Sequence, residues 1–383
     1  MIDPQPGQSD AVFTLAAWLH TFTPTAFEIP WLGLPIRWYG MSYIAAFMIG
    51  ALILTTLAKR RLVLIPPDRV WDAMFAVILG TVLGGRLGYV LVYDPALLTQ
   101  FTPSPPWWGL LAINRGGMAS HGGLIGLVTA AWWVSRGWKV EGGDGQTVVI
   151  GKSSTLHVMD ALAVMAPPGL LLGRCANFIN GELLGAIVAA PGKPGPWWSV
   201  QFPQELRGWM GPGQRDELSH TPALTPEVEA RLWTLVDSVR LPGETWAAGI
   251  ERVTARAGKP GAELSQILSS RHPSQLYQAV AEGLLVGAVC WLAWAKPRKP
   301  GVVAAWFFIS YGVLRVVTEL WRLPDAQFGA AGRIMGLSRG QWLSAAMVAV
   351  GVGILLYAVG SGREKLGGWW GARGKWRSGE VAE

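Results

Sequence analysis

The sequence predicts an all-α polytopic membrane protein of about seven transmembrane helices, with a small extracytoplasmic head inserted between spans four and five. Three observations predict it. The 383 residues are 51% hydrophobic and only 15% charged, where a soluble domain usually carries about a quarter charged residues. Several apolar runs reach the roughly 20 residues that a bilayer demands of a helix. Twenty-two tryptophans, with pairs at Trp107-Trp108, Trp132-Trp133 and Trp197-Trp198, sit near span ends or in loops, where an indole ring finds the membrane–water boundary.

The spans follow in order. The first covers about 40–58 and stops at Lys59-Arg60-Arg61. The second covers about 70–92, after Pro66-Pro67-Asp68. The third starts near His121 and ends before Arg136, and the fourth covers about 157–180. The fifth covers about 274–295 and ends at Lys296, the sixth about 301–321 and the seventh about 341–360. Basic residues gather beside alternate span ends, at 59–61, at Arg136 with Lys139, at 296–299 and after Arg363. Under the positive-inside rule this puts the N-terminus outside and the C-terminus inside. Val12 to Phe22 is apolar but too short to cross, and reads as interfacial.

The chain then divides into an N-terminal periplasmic or interfacial segment (1–39), spans one to four with a polar loop (40–185), a head insertion (186–270), spans five to seven (271–362) and a cytoplasmic basic tail (363–383). The head is rich in Pro, Gly and Trp at first. Two helical patches follow, Pro226 to Arg240, with Thr225 as N-cap and Pro226 at the first helical position, and Glu244 to Arg256.

Several function classes are excluded. The net charge of +7 lies beside span ends, with no aromatic-basic nucleic-acid motif, so no nucleic-acid partner is expected. The five histidines are scattered without a second His or Cys at ligand spacing, which predicts no metal site. Cys175 and Cys290 lie in apolar runs and predict free thiols. The stretch GQTVVIGKSS, Gly145 to Ser154, has five residues before Gly-Lys-Ser where a phosphate loop has four, and no strand is expected before it, so it reads as a cytoplasmic loop.

Polar residues placed against the hydrophobic grain carry the functional signal. In GRCANFINGELLG, Gly173 to Gly185, an arginine, two asparagines and a glutamate arrive together after an apolar run. Such groups are costly in hydrocarbon and mark functional sites by default. On a continuous helix Arg174, Asn177 and Gly181 share a face, and Asn180-Gly181 signals a break. Broken helix at membrane depth is tolerated only where protein or water surrounds it, so the stretch lines a cavity. In YGVLRVVTELWRLPD, Arg315, Glu319 and Arg322 share one stripe. Two intramembrane arginines on different helices fit one anionic headgroup, because guanidinium grips phosphate by a two-pronged fork.

Three further residues leave two readings open. Arg86 interrupts the second span, beside a stripe of small residues at Ala76, Gly80, Gly84 and Gly88 that allows close helix approach. It either pairs with an acid or snorkels, or it lines a polar cavity. His121, flanked by Gly122 and Gly123, is either structural or a proton-transfer group. Tyr39 is either an interfacial tyrosine or part of the site.

The segments RWYGMSY, GGRLGYV, GGMASHGGLIG, GRCANFINGELLG, RHPSQLY and YGVLRVVTELWRLPDAQF together resemble the bacterial prolipoprotein diacylglyceryl transferase family, in the family's order, from Arg37 to Phe328 apart from the long insertion. The resemblance implies a seven-span enzyme of the bacterial inner membrane. It would move the diacylglyceryl group of phosphatidylglycerol to the thiol of the lipobox cysteine in a prolipoprotein signal peptide, releasing glycerol 1-phosphate, without a cofactor. It implies that Arg174 binds the phospholipid phosphate and that Arg315 meets the same charge. It further implies roles for Asn177 (holding the glycerol head), Glu182 and Gly185 as signature positions, Glu319 in fixing Arg315, His121 as base, and Tyr39; Arg86 and Arg322 join the expected substrate-binding set. Departures are Cys175-Ala176, where the family signature has an aliphatic residue and glycine, Ala119-Ser120 before His121, and a longer 186–270 segment. The competing class is a phospholipid-binding transporter or channel, against which the lack of an inverted repeat speaks.

Overall fold

The computed structural model describes residues 17–31, 33–113, 116–142, 145–216, 221–256, 261–323 and 333–370. Asn114-Arg115, His220, the Pro324–Phe328 end of the sixth-span motif, the apolar start of the 12–22 segment and the tail beyond 370 lie outside them.

Helices form where the apolar runs predict them. They are α1 Trp38–Lys59, α2 Val70–Val92, α3 Ser120–Ser135, α4 Thr155–Asn180, α5 Pro226–Val239, α6 Trp246–Ala255, α7 Gly261–Ser265, α8 Ser274–Gln278, α9 Val286–Trp294, α10 Val302–Glu319 and α11 Arg339–Gly360. A π-helical turn, Ala279–Leu285, joins α8 to α9, so that Ser274–Trp294 runs as one span.

Among the described residues six helices are long and apolar enough to cross a membrane, not seven. The shortfall is α3. Its 16 residues rise about 24 Å, against a hydrocarbon core of roughly 30 Å. Gly116 and Gly117 precede it with φ of 85° and 77°, a left-handed geometry that a helix cannot include.

The described residues fall into two compact units. One comprises Tyr39–Arg174, Gln278–Val317 and Arg339–Glu383 and holds most of the span residues. Its core gathers Leu54, Leu57, Met74, Val134, Val164, Val286 and Trp294. Its outward faces stay apolar, as at Leu52, Phe75 and Leu356, which are 67%, 66% and 69% exposed; this is the surface a helix presents to lipid. The small-residue stripe of α2 meets α3 backbone to backbone. A Cβ on Gly88 would stand 2.7 Å from the Gly122 Cα, and one on Gly126 would overlap the Gly80 carbonyl. Asp160, buried on α4, accepts from the backbone N–H of Gly301 and Ala304 at 2.7 and 2.8 Å and so caps the N-terminus of α10. The segment after α3 is a hairpin, β4 Trp138–Glu141 with β5 Thr147–Ile150, where a loop was expected.

The other unit comprises Met1–Trp38, Cys175–Tyr277 and Thr318–Ser338. Four short strands make its sheet: β1 Trp18–Leu19, β6 Ile187–Ala189, β7 Val200–Gln201 and β10 Ser270–Arg271, in the order β1-β7-β10-β6. The expected interfacial segment thus contributes a strand at Trp18–Leu19. A hairpin of β2 Thr25–Ile29 and β3 Leu34–Arg37 leads to α1. Helices α5 and α6 form as their caps predict, with the Thr225 hydroxyl accepting from Val228 N and Thr245 from Ala248 N. They enclose Leu232, Val236, Ile250 and Val253. Beneath the sheet Glu205 and Arg271, both fully buried, pair at 2.6 Å, and Glu205 also accepts from the Ser269 backbone at 2.7 Å. Opening one side of such a pair usually costs about 3–5 kcal/mol.

The glycine contact generates a stability prediction. Gly126→Leu forces α2 and α3 apart and should cost about 1–3 kcal/mol, read as a lower Tm in detergent. Gly353, with nothing within 4 Å of its would-be Cβ, is the comparison; Gly353→Ala should leave Tm unchanged or raise it. Equal Tm for wild type and Gly126→Leu would refute the contact.

Candidate active site

The π turn carries the charged centre of the membrane unit. A π turn inserts one extra residue per turn and often marks a functional position. Here it presents Glu282, the single acidic residue of its span, fully buried. The Glu282 carboxylate accepts from Arg174 of α4 through both Nε, at 2.9 Å, and Nη2, at 2.8 Å, on the same oxygen, Oε2. Its other oxygen faces the Arg315 Nε of α10 at 3.9 Å. Tyr311, one turn before Arg315, hydrogen-bonds Arg174. Arg174 and Arg315, expected from sequence to share one anion, therefore share a protein carboxylate. One anion for two cations leaves the cluster with a formal charge of +1. The Arg174 and Arg315 side chains keep 18% and 12% exposure.

The rest of the 173–185 stretch belongs to the sheet-bearing unit. The helix stops where Asn180-Gly181 predicts. Gly181 has φ of 64°, its N–H donates to Phe178 O at 3.0 Å, and the Glu182 N–H donates to Asn177 O at 3.0 Å. These two bonds are the Schellman closure of a helix C-terminus. The Glu182 carboxylate accepts from the amides of Asn177 and Asn180, each at 3.2 Å. Gln275 donates to the Glu182 carbonyl at 2.5 Å, Ser274 to Leu183 O at 3.1 Å and Arg271 to Gly185 O at 3.2 Å. Gly185 bridges to Arg322, and the Ala186 N–H donates to Trp321 O at 3.0 Å. A Cβ on Gly185 would overlap the His272 carbonyl, so only glycine fits. The RHPSQLY motif thus clamps the loop after α4 from one side and the end of the sixth-span motif from the other. Within that unit Arg322 lies 3.7 Å from Glu319, whose other oxygen accepts from Ser338 at 3.4 Å.

His20 is a residue that sequence reasoning passed over. It is buried against Phe178 and Phe202, with Nε2 2.8 Å from Phe178 O. Burial lowers its pKa below the usual histidine value, so the neutral ring donates Nε2–H to that carbonyl at neutral pH. His20 holds the end of α4 to the N-terminal strand.

Arg86, His121 and Tyr39 make further contacts of their own. Arg86 is 4% exposed. Its guanidinium donates to the carbonyls of Leu110, Gly116, Gly117 and Gly109 at 2.8, 2.6, 2.9 and 2.5 Å. It holds the non-helical chain before α3 in place, and its partners are carbonyls where an acid was one expectation. It also lines a cavity of about 280 Å³ with Tyr89, Asp94 and Trp108. His121, in the first turn of α3, rests its ring 5.8 Å from that of Tyr93. Tyr39, in the first turn of α1, meets Tyr43 hydroxyl to hydroxyl at 3.1 Å.

Glu282 is the functional candidate that sequence reasoning missed. One signal was present: it is the only charged side chain between Arg271 and Lys296, and an ionisable group inside a span is functional by default.

Comparison with known proteins agrees with this arrangement of motifs. A family model described as prolipoprotein diacylglyceryl transferase matches residues 24–357. A protein of Bdellovibrio bacteriovorus named phosphatidylglycerol–prolipoprotein diacylglyceryl transferase is 39% identical over 92% of this chain and 97% of its own. Proteins of the same name from Ruegeria pomeroyi and Neisseria gonorrhoeae are 34% and 33% identical, over 88% and 87% of this chain and 95% and 94% of theirs. A match over most of the chain, with relatives above 30% identity along nearly their whole length, makes the chain a member of the prolipoprotein diacylglyceryl transferase family.

Proposed function

We propose that this membrane transferase moves the diacylglyceryl group of phosphatidylglycerol onto the lipobox cysteine thiol of a prolipoprotein, releasing glycerol 1-phosphate. One observation carries the mechanism: Arg174 and Arg315, from two membrane helices, converge on the single buried carboxylate of Glu282. The thiolate sulfur attacks the glyceryl carbon that bears the phosphate. A C–S bond forms, the C–O bond breaks, and its electron pair stays on the phosphate oxygen. The phosphodiester bears one negative charge and the departing monoester approaches two, so the barrier falls if positive charge already surrounds that oxygen. Preorganised guanidinium groups in a water-poor site supply it. Glu282 holds Arg174 by its Nε and Nη2 edge.

A free thiol has a pKa of about 8.5, so the attack also needs a base or local positive charge. His121 is assigned as that base. Glu182, Asn177 and Gly185 shape the loop after α4, Glu319 and Arg322 brace the end of α10, and Tyr39 stands at the first-span entrance. Arg86 acts by holding the chain that leads into His121. The chain takes seven membrane crossings, with α3 as the short one. The N-terminus and the 186–270 head face the periplasm, and the C-terminus the cytoplasm, as the basic clusters indicate.

Three measurements test this. Arg174→Lys keeps the charge but loses the fork, and Arg174→Gln loses both. The initial transfer rate should fall about ten- to hundredfold for Arg174→Gln, with Arg174→Lys between; a folded, inserted Arg174→Gln enzyme at wild-type rate would sink the phosphate assignment. Cys175 lies beside Arg174 and invites a covalent lipid intermediate, but the substrate supplies its own thiol. Cys175→Ala should therefore keep most activity, and its inactivity in a folded protein would contradict direct attack. For topology, Ser238→Cys and Thr147→Cys are placed in a background with Cys175→Ala and Cys290→Ala. An impermeant thiol reagent on intact spheroplasts should label only the Ser238 position; labelling of Thr147→Cys alone would invert the orientation.

A further inference from the structure

The helix that carries Glu282 holds a second buried polar group that the proposed chemistry does not use. Gln278 ends α8 and precedes the π turn, and it is 1% exposed. Among the described residues neither its amide nitrogen Nε2 nor its oxygen Oε1 has a hydrogen-bond partner. A buried amide with both ends unmatched is rare in a folded protein, because each group left dry costs about 1–3 kcal/mol. Other buried amides keep at least one hydrogen bond. Asn177 and Asn180 each donate to Glu182, and Gln275 donates to a carbonyl.

Gln278 stands four residues before Glu282. The wider π turn takes more residues per round than the 3.6 of an α-helix, so residues four apart stay on about one face and the amide lies about one turn from the carboxylate that gathers Arg174 and Arg315. A ligand whose phosphate engages the arginines would carry its headgroup substituent across about that distance. An amide offers two N–H donors and one acceptor oxygen. Adjacent hydroxyls on a short polyol accept from the first and donate to the second.

We propose that Gln278 is the specificity-determining residue for the headgroup, reading the vicinal hydroxyls of the glycerol that leaves with the phosphate. This rests on the phosphate assignment to Arg174 and Arg315. The amide receives a neutral diol. An alkyl headgroup leaves both ends of the amide dry, and a site built to hydrogen-bond a hydroxyl rejects strongly an analogue lacking it. Gln278 acts on the choice of lipid, not on the transferring carbon.

The test compares two lipids with the full-length enzyme in detergent: phosphatidylglycerol, and phosphatidylpropanol, which has the same three-carbon headgroup without its hydroxyls. Wild type should prefer phosphatidylglycerol in kcat/KM. Gln278→Met fills the same volume without polar atoms. It should lower the preference about tenfold or more by slowing phosphatidylglycerol alone, with phosphatidylpropanol turnover held. A structural role would slow both lipids equally. An unchanged ratio, an equal loss on both lipids, or a wild type without preference would each overturn the proposal. Should Gln278→Met fail to fold, Gln278→Glu keeps the shape and polarity but removes the donors, and the same ratio should fall. The two assignments fail separately. Wild-type activity in Arg174→Gln removes the phosphate site itself, whereas an impaired Arg174→Gln enzyme with an unaltered headgroup ratio in Gln278→Met removes only Gln278.

Discussion

The contact on which the membrane unit depends is the Glu282 carboxylate between two arginines. Two guanidinium groups close together in a low-dielectric interior repel strongly, and neither can lose its proton. Without an anion between them, α4 and α10 could not bring Arg174 and Arg315 to the same carboxylate. Glu282 is fully buried and itself needs both partners, since an isolated carboxylate in that position would be costly. The triad is therefore mutually required. It also explains the irregular helix around it. Ala279–Leu285 adopts the wider π turn, and a small residue follows Glu282 directly: a Cβ on Gly283 would stand 2.6 Å from the Leu171 side chain. The close approach to α4 at Gly283 is what brings Glu282 within reach of Arg174.

The other unit solves a different problem, that of ending a helix in a defined way. The Schellman closure at Gly181 satisfies the last carbonyls of α4. Glu182 then collects the two asparagine amides, and the backbone beyond it is held by Gln275, Ser274 and Arg271. Arg271 can reach the Gly185 carbonyl because Glu205 anchors its other edge. The conspicuous signature loop is thus secured by a buried ion pair whose acid lies in the 186–270 insertion.

Much of this was legible in the sequence, and the failures have physical causes. Apolar runs gave the helices because a bilayer leaves few alternatives to a helix. Asn180-Gly181 gave the helix end, and Thr225-Pro226 the head helix, because caps and left-handed turns depend on a few neighbouring residues. Arg174 and Arg315 stood out as charges in apolar runs. Glu282 was no less anomalous, but it stands alone in AVAEGLL, with no polar neighbour to draw attention, and its partners lie 108 and 33 residues away. Only the folded chain brings them together. The β4–β5 hairpin and the Glu205–Arg271 pair were hidden for the same reason, since pairing across sequence leaves little local trace. The third helix lies where the sequence placed it, from near His121 to before Arg136, but hydropathy does not register that 16 residues fall short of a full crossing.

The proposed mechanism also accounts for two arginines where one could bind a phosphodiester. With Glu282 ionised, one arginine would give a neutral cluster and no standing attraction for an anionic lipid. Two give a net +1 that, on the proposed mechanism, the phosphodiester would cancel on binding. As the C–O bond broke, the phosphate would acquire further charge, and the cluster would answer it without moving a proton, because both guanidinium groups are already charged and already placed. A third cation, or loss of the Glu282 charge, would hold the doubly charged product more firmly than the singly charged substrate and slow its release. On the proposed mechanism the buried glutamate would set the balance between stabilising the departing phosphate and letting it go, which would explain an acid among groups whose task is to bind an anion.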